Sequence, residues 1–424
     1  MTRYLAYTPM AAGHLFPLVL GLTELRARGH QVVVVTHPDL VDTLRAVGLD
    51  AQPIGPELVA RKREATAQGR PDTIEAQIAR ARLELDDLRT AVSQHRPDAL
   101  LIDVNTHGAN VAAELTGLPW AVTMPSLLPY PGPGIPPYSL GMAPRHDVVG
   151  RIRDAVLWKL VERGFARAIL PGVNALRAEH GLAAHRTPYG PMLAGDLLLV
   201  LTDPPLEYAR TSLPASVRMV GVQPWDPPAE TPEWLLAPGD PWVLVTCSTD
   251  YLADERLAAT AVQALRDEPV RVLVTLADAY DGARLDGAPN VRVERFLPHA
   301  AVLPHVSAVV CPSGMGVVSK SLAAGVPVVA VPFERDQPEV ARRAQQAGAG
   351  VVLPAKRLSV DRLRDAVARA RQLNVPSVDL SDNPRRFADA VEELGHSPGP
   401  GAAADDVAAS PPERLSGDAA CSGP

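Results

Sequence analysis

Short apolar runs separated by amphipathic stretches set the pattern of this chain. Gln31–Thr36 (QVVVVT), Ala99–Asp103 (ALLID), Trp120–Met124 and Leu197–Leu201 are apolar at nearly every position, as strands buried on both faces of a parallel sheet are. Arg3–Tyr7 reads as the first strand. Leu15–Arg28 has a helical apolar face at Leu18, Gly21, Leu22 and Leu25, and Gly29 stops it. Leu40–Ala46, Ile74–Gln94 and Ala109–Thr116 read as further helices. This βαβ order predicts a doubly wound α/β domain. A second series follows, with strands Trp242–Thr246, Val270–Thr275, Val291–Arg295, Ala308–Cys311, Val326–Val331 and Gly350–Val352. Its helices are Glu255–Arg266, Asp361–Arg371 and Pro384–Leu394.

Three stretches break the alternation. Pro125–Pro144 is rich in Pro, Gly and Tyr and is longer than a plain connection, as functional loops often are. A helical zone, Val148–His180, comes after it. Glu207–Asp240 carries Pro214, Pro224, Pro227, Pro228, Pro232 and Pro238, a composition suited to a linker. From Gly395 onward large apolar residues are nearly absent, so this segment is expected to be disordered. The expected organisation is residues 1–206, a linker 207–240, a second domain 241–380, a C-terminal helix 381–395 and a tail 396–424.

Composition narrows the function classes. With 424 residues, 46% hydrophobic, the chain can bury two cores. A net charge of -7 argues against nucleic acid or an anionic membrane as the main partner. No apolar run is long enough to span a bilayer, and MTRYLAYTPM reads as a strand start rather than a signal peptide. Cys247, Cys311 and Cys421 are too dispersed for a disulfide framework or a zinc site. A cytoplasmic enzyme without a metal is the expectation.

The most informative segment is Ala308–Gln337, AVVCPSGMGVVSKSLAAGVPVVAVPFERDQ. It reads as strand, Gly-rich turn, helix, strand and polar loop. The turn gathers backbone N–H groups at a helix N-terminus, an arrangement suited to phosphate. An ordinary strand–turn–helix with small residues would look the same. The sequence CPSGMGV, followed by AAGVPVVAVPFERDQPEVARR, resembles the nucleotide-sugar-binding region of the family 1 glycosyltransferases. It is closest to the actinobacterial enzymes that decorate antibiotic-type natural products, whose usual pattern begins CHGGMGT. The resemblance covers roughly residues 1–395. It implies the GT-B architecture: two Rossmann-like domains facing a central cleft, with the acceptor against the first and the nucleotide sugar against the second. It also implies that the C-terminal helix packs back toward the N-terminal domain.

His14, in PMAAGHLFP, lies in the turn after the first strand. An imidazole of ordinary pKa near ~6.5 can accept a hydroxyl proton at neutral pH. A helix-capping or surface histidine is the alternative. The resemblance implies that His14 is the general base and that Asp103, at the end of ALLID, orients it. Asn105, Thr106 and His107 would line the acceptor site or start the next helix. Tyr130, Tyr138, Met142, Trp158 and Phe165 are candidates for an aromatic acceptor pocket, or for core packing.

On the donor side the resemblance implies that Phe296, Leu297 and His299 hold the nucleobase. It places Ser248 and Thr249 near the phosphates, and Asp336 and Gln337 on the sugar hydroxyls. The phosphate contacts would be the N–H groups of Gly314, Met315 and Gly316 and the Ser313 hydroxyl. Pro312 and Ser313 depart from the family's His-Gly, and Val317 from its Thr. Pro312 donates no hydrogen bond at all.

The implied activity is inverting transfer of a hexose or deoxyhexose from a dTDP- or UDP-sugar co-substrate to a hydrophobic, polyketide-like or aromatic acceptor. The partners are then small molecules, with a homodimer left open. The rival readings are a degenerate GT-B protein that binds a nucleotide or a partner enzyme, and a nucleotide-sugar epimerase.

Overall fold

A computed structural model describes residues 1–8, 12–67, 73–247, 255–276, 280, 285 and 287–394. Ser248, Thr249, Cys421 and the tail from residue 395 lie outside them. The first half is built on β1 (Arg3–Thr8), β2 (Gln31–Thr36), β3 (Asp50–Pro53), β4 (Ala99–Asp103), β5 (Trp120–Met124), β6 (Leu197–Val200) and β7 (Val217–Met219). The second is built on β8 (Trp242–Thr246), β9 (Arg271–Thr275), β10 (Val291–Glu294), β11 (Val306–Cys311), β12 (Val328–Ala330) and β13 (Gly350–Val352).

The strand orders are β3-β2-β1-β4-β5-β6-β7 and β10-β9-β8-β11-β12-β13. Every adjacent pair is parallel, for example Leu5↔Val33 and Leu5↔Leu100 on the two sides of β1. Successive side chains feed opposite faces. Tyr4 and Ala6 enter one core, Leu5 and Tyr7 the other. In β8, Trp242 and Leu244 separate in the same way from Val243 and Val245. This is why the strands read as unbroken apolar runs.

Each sheet reverses its order once, between β1 and β4 and between β8 and β11. The crevice outside the carboxyl ends of such strand pairs is where α/β sheets hold ligands. His14 follows β1 and Asp103 ends β4, while Pro312–Gly316 follows β11.

Several elements depart from the sequence expectation. The segment read as a linker, Glu207–Asp240, contributes β7, which pairs with β6 (Leu199↔Arg218), and the short helix Glu233–Leu236. The first sheet therefore runs past residue 206. Strand β3 and the helix Pro56–Ala67 carry no apolar pattern strong enough to announce them. The helix after β4 starts at His107 rather than Ala109.

The helix Asn383–Glu392 inserts Phe387, Ala388 and Val391 into the core of the first sheet. Phe387 is fully buried, and a Cβ at Gly21 would overlap its ring, so glycine there permits the close approach. Arg28 bonds Asp389 and Glu392 of that helix at 2.6 and 2.8 Å. Among the described residues no helix is long and apolar enough to cross a membrane.

Candidate active site

A cavity of about 710 Å³ lies between the two halves. His14 and Asp103 line one wall, and Gly314, Met315 and Gly316 line the other.

Asp103 is buried at the end of β4, where the Thr106 hydroxyl (2.7 Å) and the Asn110 amide (3.2 Å) both donate to its backbone carbonyl. Its Oδ1 accepts the Asn105 N–H at 2.8 Å. Its Oδ2 lies 2.6 Å from His14 Nδ1. A proton on Nδ1 donating to this carboxylate leaves the Nε2 lone pair as the accepting atom. The Asn105 amide nitrogen stands 3.4 Å from Nε2, a distance that an incoming hydroxyl can outcompete. The His14 side chain keeps 30% exposure, against 4% for Asp103, so the imidazole is open to the cavity and the carboxylate bonded to it is not.

Across the cavity, β11 ends at Cys311 and the helix Met315–Ala323 begins after Gly314. Among the described residues no side chain caps this helix, and Met315, Gly316 and Val317 all line the cavity. Their first-turn N–H groups have no acceptor within the helix, an arrangement suited to an anion. Phe296 (49% exposed), Leu297 and His299 line the same space from the turn after β10.

The loop after β5 closes over the C-terminal half. Ser126 Oγ donates to Asp336 Oδ2 at 2.5 Å, and Ser139 Oγ donates to the Arg335 carbonyl at 3.1 Å. Gly141 N–H donates to Glu339 Oε1 at 2.7 Å. Tyr138 lines the cavity beside these groups. Burial, with Asp336 and Glu339 nearby, pushes its phenol well above the usual range, so it remains a hydroxyl. Among the described residues no group of three or more His, Cys, Asp or Glu is placed to hold a metal ion.

Comparison with known proteins bears on this geometry. The family model "Erythromycin biosynthesis protein CIII-like, C-terminal domain" matches residues 260–384. The 4'-demethylrebeccamycin synthase of Lentzea aerocolonigenes is 35% identical over 386 residues, which cover 86% of this chain and 90% of that protein. The chain belongs to the natural-product glycosyltransferases. Tylactone mycaminosyltransferase of Streptomyces fradiae is 29% identical over 399 residues, covering 84% of this chain and 82% of its own. The crystal structure of glycosyltransferase VinC in complex with dTDP superposes with a TM-score of 0.61 at 22% identity, covering 92% of this chain and 96% of VinC. The GT-B fold is thus as the resemblance implied.

The glycosyltransferase brings His14, Asp103, Tyr138, Phe165, Phe296, Leu297, His299, Gly314, Met315, Gly316, Asp336 and Gln337 to one cavity. Other expectations need correction. Tyr130, Met142 and Trp158 do not line the cavity. Trp158 is buried and donates its indole N–H to the Ile135 carbonyl at 2.9 Å, so it braces the loop. Tyr130 packs on Tyr189 with ring centroids 4.9 Å apart, and Tyr189 takes the cavity position instead.

Ser313 also fails as a phosphate donor. With φ at 73° it occupies the left-handed region, and its side chain turns into the interior, fully buried. Among the described residues its hydroxyl finds no hydrogen-bond partner. Its N–H faces the Cys311 thiol, which burial pushes up to about 12. Gln337 is partly committed too, because its carbonyl oxygen accepts the N–H groups of Phe333 (2.8 Å) and Glu334 (3.1 Å).

Sequence reasoning missed Ser126, Trp225, Asp226 and Lys320, all of which line the cavity. Trp225 packs edge-on against Phe16 at 4.9 Å, joining the Pro-rich segment to the helix Ala12–Ala27, whose first turn, rather than the turn before it, carries His14. A Trp and an Asp inside QPWDPP were the available signal, hidden by the linker-like composition.

Two partly buried histidines give a pH prediction. Burial, then Lys320, lowers His299 to about 4 from 6.5; burial, then Arg177, lowers His185 to about 4 as well. Between those values the unfolded chain takes up protons that the folded chain refuses. Stability therefore falls as pH drops from about 6.5 toward 4. Urea midpoints measured across this window should decline, and His185→Asn should flatten the decline. A steeper decline in the variant would contradict the assignment.

Proposed function

We propose that this glycosyltransferase moves a hexose or deoxyhexose from a dTDP- or UDP-sugar to a hydrophobic natural-product acceptor, with inversion at the anomeric carbon. The carrying observation is the 2.6 Å His14–Asp103 contact, opposite an uncapped helix N-terminus in one cavity. His14 Nε2 accepts the proton of the acceptor nucleophile. The nucleophile attacks the anomeric carbon on the face away from the nucleotide, the glycosidic bond to the diphosphate breaks, and the electron pair leaves with it. Asp103 stabilises the imidazolium that results. The first-turn N–H groups of Met315, Gly316 and Val317 and the helix dipole meet the growing negative charge.

Support for a dTDP donor comes from VinC, solved with dTDP, and the mycaminosyltransferase relative is named for the transfer of a sugar to a natural product. Tyr138, Phe165 and Tyr189 offer the acceptor an aromatic surface. Asp336, released from Ser126, suits the vicinal hydroxyls of a hexose. The reaction assigns no step to a metal.

The test is the anomeric configuration of the product by proton NMR, starting from an α-linked donor, with and without EDTA. A β-linked product at an EDTA-insensitive rate is expected. A retained α configuration would remove the single-displacement role of His14, and a rate abolished by EDTA would remove the metal-free leaving-group step.

A further inference from the structure

The phosphate turn of this chain lacks a charged contact. Pro312 has no N–H, the Ser313 hydroxyl is buried, and Val317 ends in methyl groups. From this turn itself only backbone N–H groups then face a diphosphate that gains negative charge as it leaves.

We propose that Lys320 supplies the missing cation and binds the donor's diphosphate directly, with Asp226 holding it in readiness. This rests on the donor reading above and adds a residue to it. Lys320 is the cation on the helix Met315–Ala323, which starts at the phosphate turn. Gly316, Ser319 and Lys320 line the cavity, the first and last being four residues apart on one helix face. Side chains on a helix tilt toward its N-terminus, so the Lys320 stem runs back toward the turn rather than away from it.

Its position is fixed before any ligand arrives. Lys320 Nζ lies 2.6 Å from Asp226 Oδ1, and Asp226 Oδ2 accepts the Ala300 N–H at 3.0 Å. Both side chains are largely sheltered, at 14% and 5% exposure. Asp226 comes from the Pro-rich segment and Ala300 from the short helix after the base-binding turn. The ammonium is therefore pinned between the phosphate turn and the nucleobase turn, where a nucleoside diphosphate must pass. An ammonium has three N–H donors, and the bond to Asp226 takes one. Asp226 serves two opposed ends: it orders the lysine and offsets part of its charge. The imidazole of His299, beside Lys320, is neutral at pH 7 because of its burial, so it adds no competing positive charge.

The opposed ends give the test its sign. Calorimetric titration of the full chain with dTDP and with thymidine compares wild type, Lys320→Met and Asp226→Asn. Lys320→Met is expected to weaken dTDP about 10- to 100-fold and leave thymidine unchanged. Asp226→Asn keeps an acceptor for Ala300 but removes the opposing charge, so dTDP should bind more tightly. Should Lys320→Met unfold by leaving Asp226 unpaired, the double variant K320M/D226N carries the same expectation for dTDP without a lone buried charge. Equal losses for dTDP and thymidine, or a D226N loss matching that of K320M, would mean a structural pair and overturn the proposal. So would unchanged dTDP affinity in K320M while the wild type binds. A wild type that binds none of dTDP, UDP or GDP would overturn the donor reading together with this one.

Discussion

His14→Ala is expected to slow sugar transfer by about 10²–10⁴ at saturating substrates while leaving nucleoside diphosphate affinity unchanged. The imidazole and the Pro312–Gly316 turn line the cavity from different halves, so on the proposed reading its loss removes proton acceptance and no donor contact. The decisive comparison is with Asp103→Asn. Asp103 reaches the reaction only through Nδ1 of His14, at 2.6 Å, and its other oxygen is taken by the Asn105 N–H. If the two act as a unit, H14A/D103N is no slower than H14A alone, because an absent ring cannot be misoriented. Additive losses would mean that Asp103 does something His14 does not mediate. Single-turnover rates measure this without interference from product release. A His14→Ala enzyme with wild-type single-turnover rate would end the base assignment.

How much of this was legible in the sequence depended on what kind of signal each element carries. Strands such as QVVVVT are buried on both faces, and burial on both faces is written directly into composition. Strand β3, DAQP, is an edge strand held by backbone bonding to β2, and its side chains need not be apolar. Strand β7 is three residues, VRM, inside a Pro-rich stretch, where composition argued for a linker. The site divided in the same manner. His14 and Asp103 lie 89 residues apart, and no spacing rule joins them; the resemblance did. Adjacency of β1 and β4 at the switch point is the physical reason they meet. Ser313 misled because a hydroxyl in a phosphate turn looks like a donor, whereas its backbone conformation sends it inward. Lys320 was legible as a residue but not as a site, since its partner Asp226 sits 94 positions away.

Arg343→Met is expected to destabilise the protein by about 3–5 kcal/mol, because it leaves buried carboxylates without their cation. Arg343 is 2% exposed and lies between Glu207, 3.2 Å from its Nη2, and Glu339, both fully buried. Glu207 also accepts the Leu128 N–H (3.1 Å), and Glu339 the Gly141 N–H (2.7 Å). The three charges therefore fasten the loop after β5 and the segment after β6 to the helix Gln337–Gln346 of the second half. The arginine also stacks 4.1 Å over the Tyr208 ring, a contact that methionine replaces only in part. Glu207 retains Arg210 at 3.5 Å, so the larger share of the loss falls on Glu339.

Burial already raises the pKa of Glu339, with Arg343 opposing the rise. Without Arg343 the carboxyl holds its proton to higher pH. The deficit of the variant should then be greatest at neutral and alkaline pH and shrink as acid protonates Glu339. Urea midpoints at pH 5 and pH 8 measure this. The quadruple replacement E207L/R210M/E339L/R343M removes every charge of the cluster, Arg210 included, and should recover most of the lost stability, since an apolar cluster of similar volume tolerates burial that a lone charge does not. It should not recover affinity for the acceptor, because Leu128 and Gly141 lose the oxygens that hold their loop over the cavity. Were the quadruple variant to bind acceptor as wild type does, the ionic cluster would be a stabilising device only, and closure of the cleft would have to rest on Ser126, Asp336 and the apolar contacts around them.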